Sequence, residues 1–280
     1  MPSEDEILRA QRRTWAALAA GWEKWDGVIM DQLAPASAAI IGSLGLADGH
    51  RHLDVASGTG EPGLTVAGLV PSGRVVLTDL SAEMLAVAMR RARAMNVTNV
   101  ETRVCGVDAL PFEDAAFDSV SVRFGYMFFP DLYAATAELA RVLRPGGRLC
   151  SSVWAGRDVN PWTTLVLDAI GAEVELPPAP PGAPGMFRCA EPGQLSRVYD
   201  AAGLRDVSEW DVPVELVTDS PEQAWEMLSE HVSLAVAALA HLDPGARERV
   251  ARAVVDRVSE YQSDGRIRLP GVARCVVGTR

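Results

Sequence analysis

Five short apolar runs alternate with helical segments between residues 52 and 154, and that alternation limits what the chain can become. The runs are His52–Ala56, Arg74–Asp79, Val100–Gly106, Phe117–Arg123 and Arg148–Trp154. Their shortness and the turn residues between them favour buried strands over helices. Two of the intervening segments are well signalled as helices. Ser81 is placed to cap one, with Glu83 in its first turn and Arg90, Arg91 and Arg93 in its last, so both ends suit the helix dipole. Asp131 is placed to cap another, whose apolar face is Leu132, Ala135, Leu139 and Val142 and which Pro145-Gly146-Gly147 is expected to stop. Strands and helices alternating at this pitch imply right-handed crossovers and a mainly parallel sheet.

The flanking segments read differently. Residues 1–47 are expected to be helical, with Ile7, Trp15, Leu18 and Trp22 at mostly helical spacings. Leu176–Gly185 is rich in proline (Pro177, Pro178, Pro180, Pro181, Pro184) and is expected to be neither helix nor central strand. Leu195, Val198, Tyr199 and Ala202 predict a helix ending at Gly203, and a strand is expected around Trp210–Val217. Two helices are predicted over Pro221–Ala240 and Pro244–Tyr261, with a last strand at Val272–Val277. The partition expected is one domain: an N-terminal helical lid (1–47), a ligand-binding core (48–155), a loop, helix and strand on the substrate side (156–220), a helical cover (221–265) and the last strand (266–280).

Charge and cysteine usage exclude other classes. With 26 Lys plus Arg against 37 Asp plus Glu, the net charge is −11, which disfavours nonspecific binding to nucleic acid or anionic membrane. No apolar run is long enough to span a bilayer, and Met1–Arg13 lacks the apolar middle of a signal peptide, so a cytoplasmic chain is expected. Cys105, Cys150, Cys189 and Cys275 are scattered and read as buried thiols. His50, His52, His231 and His241 form no HExxH pattern, so no metal is expected. The bias towards Arg over Lys suits a GC-rich bacterial genome.

Chemistry concentrates in Leu53-Asp54-Val55-Ala56-Ser57-Gly58-Thr59-Gly60-Glu61-Pro62-Gly63, which follows a strand and opens a helix. Gly58, Gly60 and Gly63 have the GxGxxG spacing that lets a ligand approach backbone N–H groups. Asp79, at the end of the next strand, is placed to accept hydrogen bonds from both hydroxyls of a ribose. A pyrophosphate would be disfavoured by the neighbouring Asp54 and Glu61, whereas an ammonium and a sulfonium would be welcomed. The charge therefore favours S-adenosylmethionine over NAD, with an NAD-dependent oxidoreductase as the alternative.

The run Asp54-Val55-Ala56-Ser57-Gly58-Thr59-Gly60 resembles the first motif of class I S-adenosylmethionine-dependent methyltransferases. Thr78–Leu85 resembles the second and Gly106–Phe112 the third; Phe117–Val120 resembles the fourth strand and Leu143–Gly147 the turn before the fifth. Within that family the wording is most similar to the UbiE-like group of small-molecule enzymes. The resemblance implies a Rossmann-like α/β fold: a mainly parallel seven-stranded sheet flanked by helices, with a helical N-terminal segment and a helical cover before the last strand. It implies methyl transfer from S-adenosylmethionine, leaving S-adenosylhomocysteine. Ala56, Ser57, Gly58 and Gly60 would line the methionine part, with Asp54 positioning the loop and the ammonium. Asp79 would hold the ribose, and Leu80 and Met84 would pack on the adenine. Asp108 and Ala109 would meet the adenine edge, and Arg123 and Phe124 would pass beside the sulfonium. A member that keeps the cofactor only as structure is a further alternative.

On the acceptor side, Trp22, Trp25, Tyr126, Phe128, Trp154, Trp162 and Met186 are candidates for lining an apolar site, because most of them follow strand C-termini or lie in the lid. A small aromatic or polyketide-like metabolite fits such a lining, and a homo-oligomer is compatible with the sequence. No base is assigned; His231 and Tyr126 are the candidates to take or orient a proton.

Overall fold

The computed structural model describes residues 4–176, 180 and 182–280. Pro177, Pro178 and Pro181 of the proline-rich segment, and Met1–Ser3 of the expected N-terminal helices, lie outside the described residues; Leu176, Pro180 and residues 182–185 form neither helix nor strand.

The strands predicted from the alternating runs form one sheet. They are β1 (Arg51–Val55), β2 (Arg74–Asp79), β3 (Val100–Val104), β4 (Phe117–Arg123) and β5 (Leu143–Trp154), all parallel, in the order β3-β2-β1-β4-β5. The sheet continues into β8 (Arg266–Thr279), antiparallel to β5, and then β6 (Arg205–Thr218). A two-residue strand, β7 (Gln262–Ser263), pairs with β8, so the described residues hold eight strands where seven were expected. The last two long strands outrun their apolar cores because each ladders with the other along nearly its whole length.

Helix α1 (Glu4–Lys24) and α2 (Asp26–Ser43) make the N-terminal segment. On one sheet face, Ile40 and Leu44 pack with α3 (Gly63–Leu69) and α4 (Ala82–Ala94) over Val75, Leu77, Cys150 and Cys275. On the other, α5 (Leu132–Val142) and α7 (Gln194–Ala201) pack against Val120, Val122 and Leu149. Both capping expectations are met: the Ser81 hydroxyl accepts from the Met84 N–H, and Asp131 accepts from the N–H groups of Tyr133 and Ala134. Helix α5 ends at Val142, before Pro145-Gly146-Gly147, which instead forms a bulge inside β5: Phe117 pairs with Leu143, then Ser119 with Arg148.

Two differences shape the site. Helix α6 (Pro161–Gly171) follows β5, with Pro161 in its first turn and no side-chain hydrogen bond capping it. The single helix expected over Pro221–Ala240 is two, α8 (Pro221–His231) and α9 (Ser233–Leu239), broken where Val232 turns extended (ψ 108°). Helix α10 (Pro244–Ser259) completes the cover. Helix α1 is fastened across the top by Glu23 to Arg90 (2.6 Å), Lys24 to Glu226 (2.7 Å) and Arg12 Nε to the Leu80 carbonyl (3.1 Å). These contacts are exposed and each contributes little.

Candidate active site

A cavity opens where the C-terminal ends of β1, β2 and β4 meet the lid, the place where open α/β sheets bind ligands. Its floor is Ala56, Ser57, Gly58 and Thr59, and one wall is Asp79, Leu80 and Met84. Ala56 (φ 53°) and Phe124 (φ 56°), at the ends of neighbouring strands, both adopt the left-handed conformation and both line the cavity. Non-glycine residues held there cost roughly 1–3 kcal/mol each and concentrate at functional sites.

The three glycines of the loop do different work. At Gly58 (φ 52°) an added Cβ would meet nothing within 4 Å, so the space above its backbone is open to a ligand. Gly63 is tight: a Cβ there would sit 2.3 Å from Leu77 Cδ2, so this glycine lets α3 lie against β2. Gly60 likewise faces Leu64 and Ala88, away from the cavity. Asp79, nearly buried, accepts from the Gly58 N–H (Oδ2, 2.9 Å) and the Ser81 N–H (Oδ1, 2.9 Å) while lining the cavity. Each oxygen keeps a lone pair for a further donor. Thr59 lines the same floor, with its hydroxyl buried and without a partner among the described residues. An accepting carboxylate beside a glycine loop with open space above its backbone fits the hydroxyls of a nucleoside.

Asp54 stands behind the loop rather than in the cavity wall. Its Oδ2 accepts from the Gly63 N–H (3.1 Å) and its Oδ1 from the Ser121 hydroxyl (2.5 Å). Burial pushes its carboxyl up to about 7, against those two hydrogen bonds. The chain continues to His52, whose ring nitrogens meet Ser119 Oγ (2.8 Å) and Ser121 Oγ (2.9 Å); burial pushes its ring down to about 3. A buried neutral imidazole keeps its stability contribution above the unfolded value near 6.5 and loses it as pH falls towards the folded value. Urea unfolding should therefore show wild type losing stability relative to His52→Asn by up to about 1.4 kcal/mol per pH unit below ~6.5. The difference should be flat above that, and parallel curves from pH 4 to 7 would remove His52 as the cause.

The acceptor side is aromatic. Phe124 stacks on Trp154 (4.2 Å, 21°), and Trp154 tilts against Trp162 (4.8 Å). His231 lies parallel to Trp162 (6.0 Å, 21°) and edge-on to Trp22 (6.0 Å). Trp22, Phe128, Trp154, Trp162, Met186 and His231 all line the cavity, and so do Arg123 and Phe124. Trp25 and Tyr126 do not. Trp25 turns to the cover, donating its Nε1–H to Glu230 (2.8 Å), and Tyr126 points into the core with its hydroxyl on Thr136 Oγ1 (3.1 Å). The short helical turn at 126–128 rotates Tyr126 inward and brings Met127 and Phe128 to the cavity instead. Asp108 and Ala109 are exposed beyond the cavity wall.

Other lining residues gave no sequence signal. Gln11, Trp15, Ile29, Gln32 and Leu33 come from the lid, and Val232 and Ser233 from the break between α8 and α9. Cys105 is a correction: it is half-buried and lines the cavity, while Cys150, Cys189 and Cys275 are buried.

Comparison with known proteins is in keeping with this geometry. Residues 53–147 match a family described as "Methyltransferase domain". A ubiquinone/menaquinone biosynthesis C-methyltransferase of Cupriavidus necator is 33% identical over 188 residues, 63% of this chain and 76% of that protein. An uncharacterised protein of Mycobacterium tuberculosis is 28% identical over 275 residues, 94% of this chain and 92% of that protein. Among solved structures, the YcgJ protein of Bacillus subtilis shares the fold at a TM-score of 0.57 and 20% identity, covering 88% of this chain and 97% of that one.

Proposed function

Because this chain belongs to the class I S-adenosylmethionine-dependent methyltransferases, we propose that it methylates a small, mostly apolar metabolite carrying an aromatic or polyketide-like ring. The observation that carries this reading is the continuity of one cavity from Gly58 and Asp79 to the Phe124–Trp154–Trp162–His231 aromatic wall. The Cupriavidus necator relative, named for quinone biosynthesis, supports a ring-bearing acceptor. The NAD alternative and the reading of a cofactor kept only as structure gain no support.

S-Adenosylmethionine supplies a methyl group on a cationic sulfur. Asp79 would hold the ribose hydroxyls and Leu80 and Met84 would pack on the base, whereas Asp108 and Ala109, exposed beyond the cavity wall, stand outside the lining expected for its edge. The faces of Phe124 and Trp154 and the carboxylate of Glu61 suit a nearby positive charge. Transfer of that methyl group would require the acceptor atom to stand in line with the carbon–sulfur bond, so alignment and exclusion of water would be the chain's main contribution, on the order of 7–11 kcal/mol in favourable cases. Helices α1 and α2 and the helical cover α8–α10 would provide that exclusion.

His231 Nδ1 lies 3.0 Å from the Met227 carbonyl, so the ring donates there and leaves Nε2 as an acceptor. Burial pushes the ring down to about 4, so it stays neutral through the physiological range. It is a weak base, and its role is to accept a hydrogen bond from the acceptor and fix its approach. His231→Ala should lower kcat/KM by roughly 10- to 100-fold while leaving S-adenosylhomocysteine affinity within twofold; unchanged kcat/KM would discard the role. The function itself is tested by mass spectrometry of the enzyme with S-adenosylmethionine and a library of phenols, quinols and polyketides. Methylation of none, with cofactor binding intact, would overturn the substrate class.

A further inference from the structure

Arg91 lies in the last turn of α4, where the sequence reads it only as a charge suited to the helix dipole. In the structure its guanidinium turns inward, the side chain 17% exposed, and each of its three nitrogens meets a different group. Nη1 donates to the Thr59 carbonyl (2.7 Å), Nη2 faces Glu61 Oε1 (3.5 Å) and Nε lies 3.1 Å from Asp26 Oδ2. Thr59 and Glu61 line the cavity from the glycine loop. Asp26 opens α2 at its junction with α1, between Trp22 and Ile29, and both of those side chains line the cavity from the lid. Arg91 itself stands outside the lining.

One side chain therefore joins the two opposing walls of the cavity from behind. The other ion pairs of the lid, Glu23 with Arg90 and Lys24 with Glu226, are exposed and screened by solvent. The Arg91 contacts are half-buried and charge-assisted, and a planar guanidinium can hold several partners at once where an ammonium cannot. Without it, Asp26 and Glu61 would face each other as like charges across the seam between lid and loop.

We propose that Arg91 is a positioning residue that clamps the lid to the glycine loop and so sets how long a nucleoside ligand is retained. With the clamp made, the start of α2 and the cavity floor hold one arrangement; ligand enters and leaves when it opens. The inference rests on the methyltransferase reading, which supplies the S-adenosyl ligand as the occupant.

Stopped-flow tryptophan fluorescence with S-adenosylhomocysteine tests the clamp, because Trp15 and Trp22 of the lid line the cavity. Arg91→Met and Asp26→Ala should each raise the dissociation rate by at least about tenfold, the scale of losing a charge-assisted contact. Both should also raise the association rate, since a larger open fraction admits ligand faster, so affinity falls by less than the dissociation rate rises. Simple damage to the loop would slow association instead. Adding Asp26→Ala to Arg91→Met should change the dissociation rate by less than about threefold, because the contact is already gone. Arg90→Met, which breaks an exposed pair of the same lid, should leave both rates within about twofold. An unchanged dissociation rate, one that rises without the association rate, multiplying effects in the double variant, or an equal response of Arg90→Met overturns the proposal alone. Failure of wild type to bind S-adenosylhomocysteine removes the methyltransferase reading and the proposal with it. Asp26→Ala leaves Arg91 paired with Glu61, so it answers independently if Arg91→Met does not fold.

Discussion

Asp79→Ala should weaken S-adenosylhomocysteine binding by about 100-fold or more, roughly 2.7 kcal/mol. Two hydrogen bonds from ribose hydroxyls to an ionised carboxylate account for that magnitude, at about 1.5–3 kcal/mol each. The same carboxylate also ties the Gly58 N–H to the Ser81 N–H, so its removal loosens the loop that faces the ligand. Burial raises the Asp79 carboxyl above its usual range, so ligand affinity should fall as pH drops and the group protonates. Asp79→Asn keeps one acceptor and the shape, and should lose less than alanine does. Calorimetry on the three proteins checks the order; equal affinities would place the ribose elsewhere.

Gly63→Val should destabilise the protein by about 3 kcal/mol, near the upper end for overpacking. The added Cβ would lie 2.3 Å from Leu77 Cδ2 and 2.9 Å from Asp54 Oδ2, so α3 must lift off β2 and release the Asp54–Gly63 hydrogen bond. Gly58→Ala is the contrast. Its Cβ meets nothing, and the left-handed backbone (φ 52°) costs about 1–2 kcal/mol. Its effect should fall on ligand affinity instead, because the methyl group fills the open space above the loop. Urea unfolding and cofactor titration of both variants measure the split. Comparable midpoints for Gly63→Val and wild type would contradict the packing account.

The two glycines share one motif yet serve packing and ligand access separately, and that division was not legible from their spacing. Spacing records where glycine is needed; which atom would fill the missing Cβ depends on Leu77, fourteen residues on and in another strand. The same limit explains Trp25 and Tyr126, which the sequence grouped with the acceptor-lining aromatics. An aromatic after a strand has many directions available, and one short helical turn sent Tyr126 to Thr136 while delivering Phe128 to the cavity.

Determined by sequence alone were the five parallel strands, the Ser81 and Asp131 caps, and a glycine-rich first loop with Asp79 beside it. These depend on periodicity and on chemistry within a few residues, which a linear chain records. The tertiary structure decided the break at Val232 that brings His231 between Trp22 and Trp162, and the seating of Arg123 beneath α2 without a counter-ion. Residues roughly 70 to 210 positions apart meet there, and burial, not neighbouring sequence, sets the charge of His231 and leaves Gln32 Nε2 without a partner among the described residues.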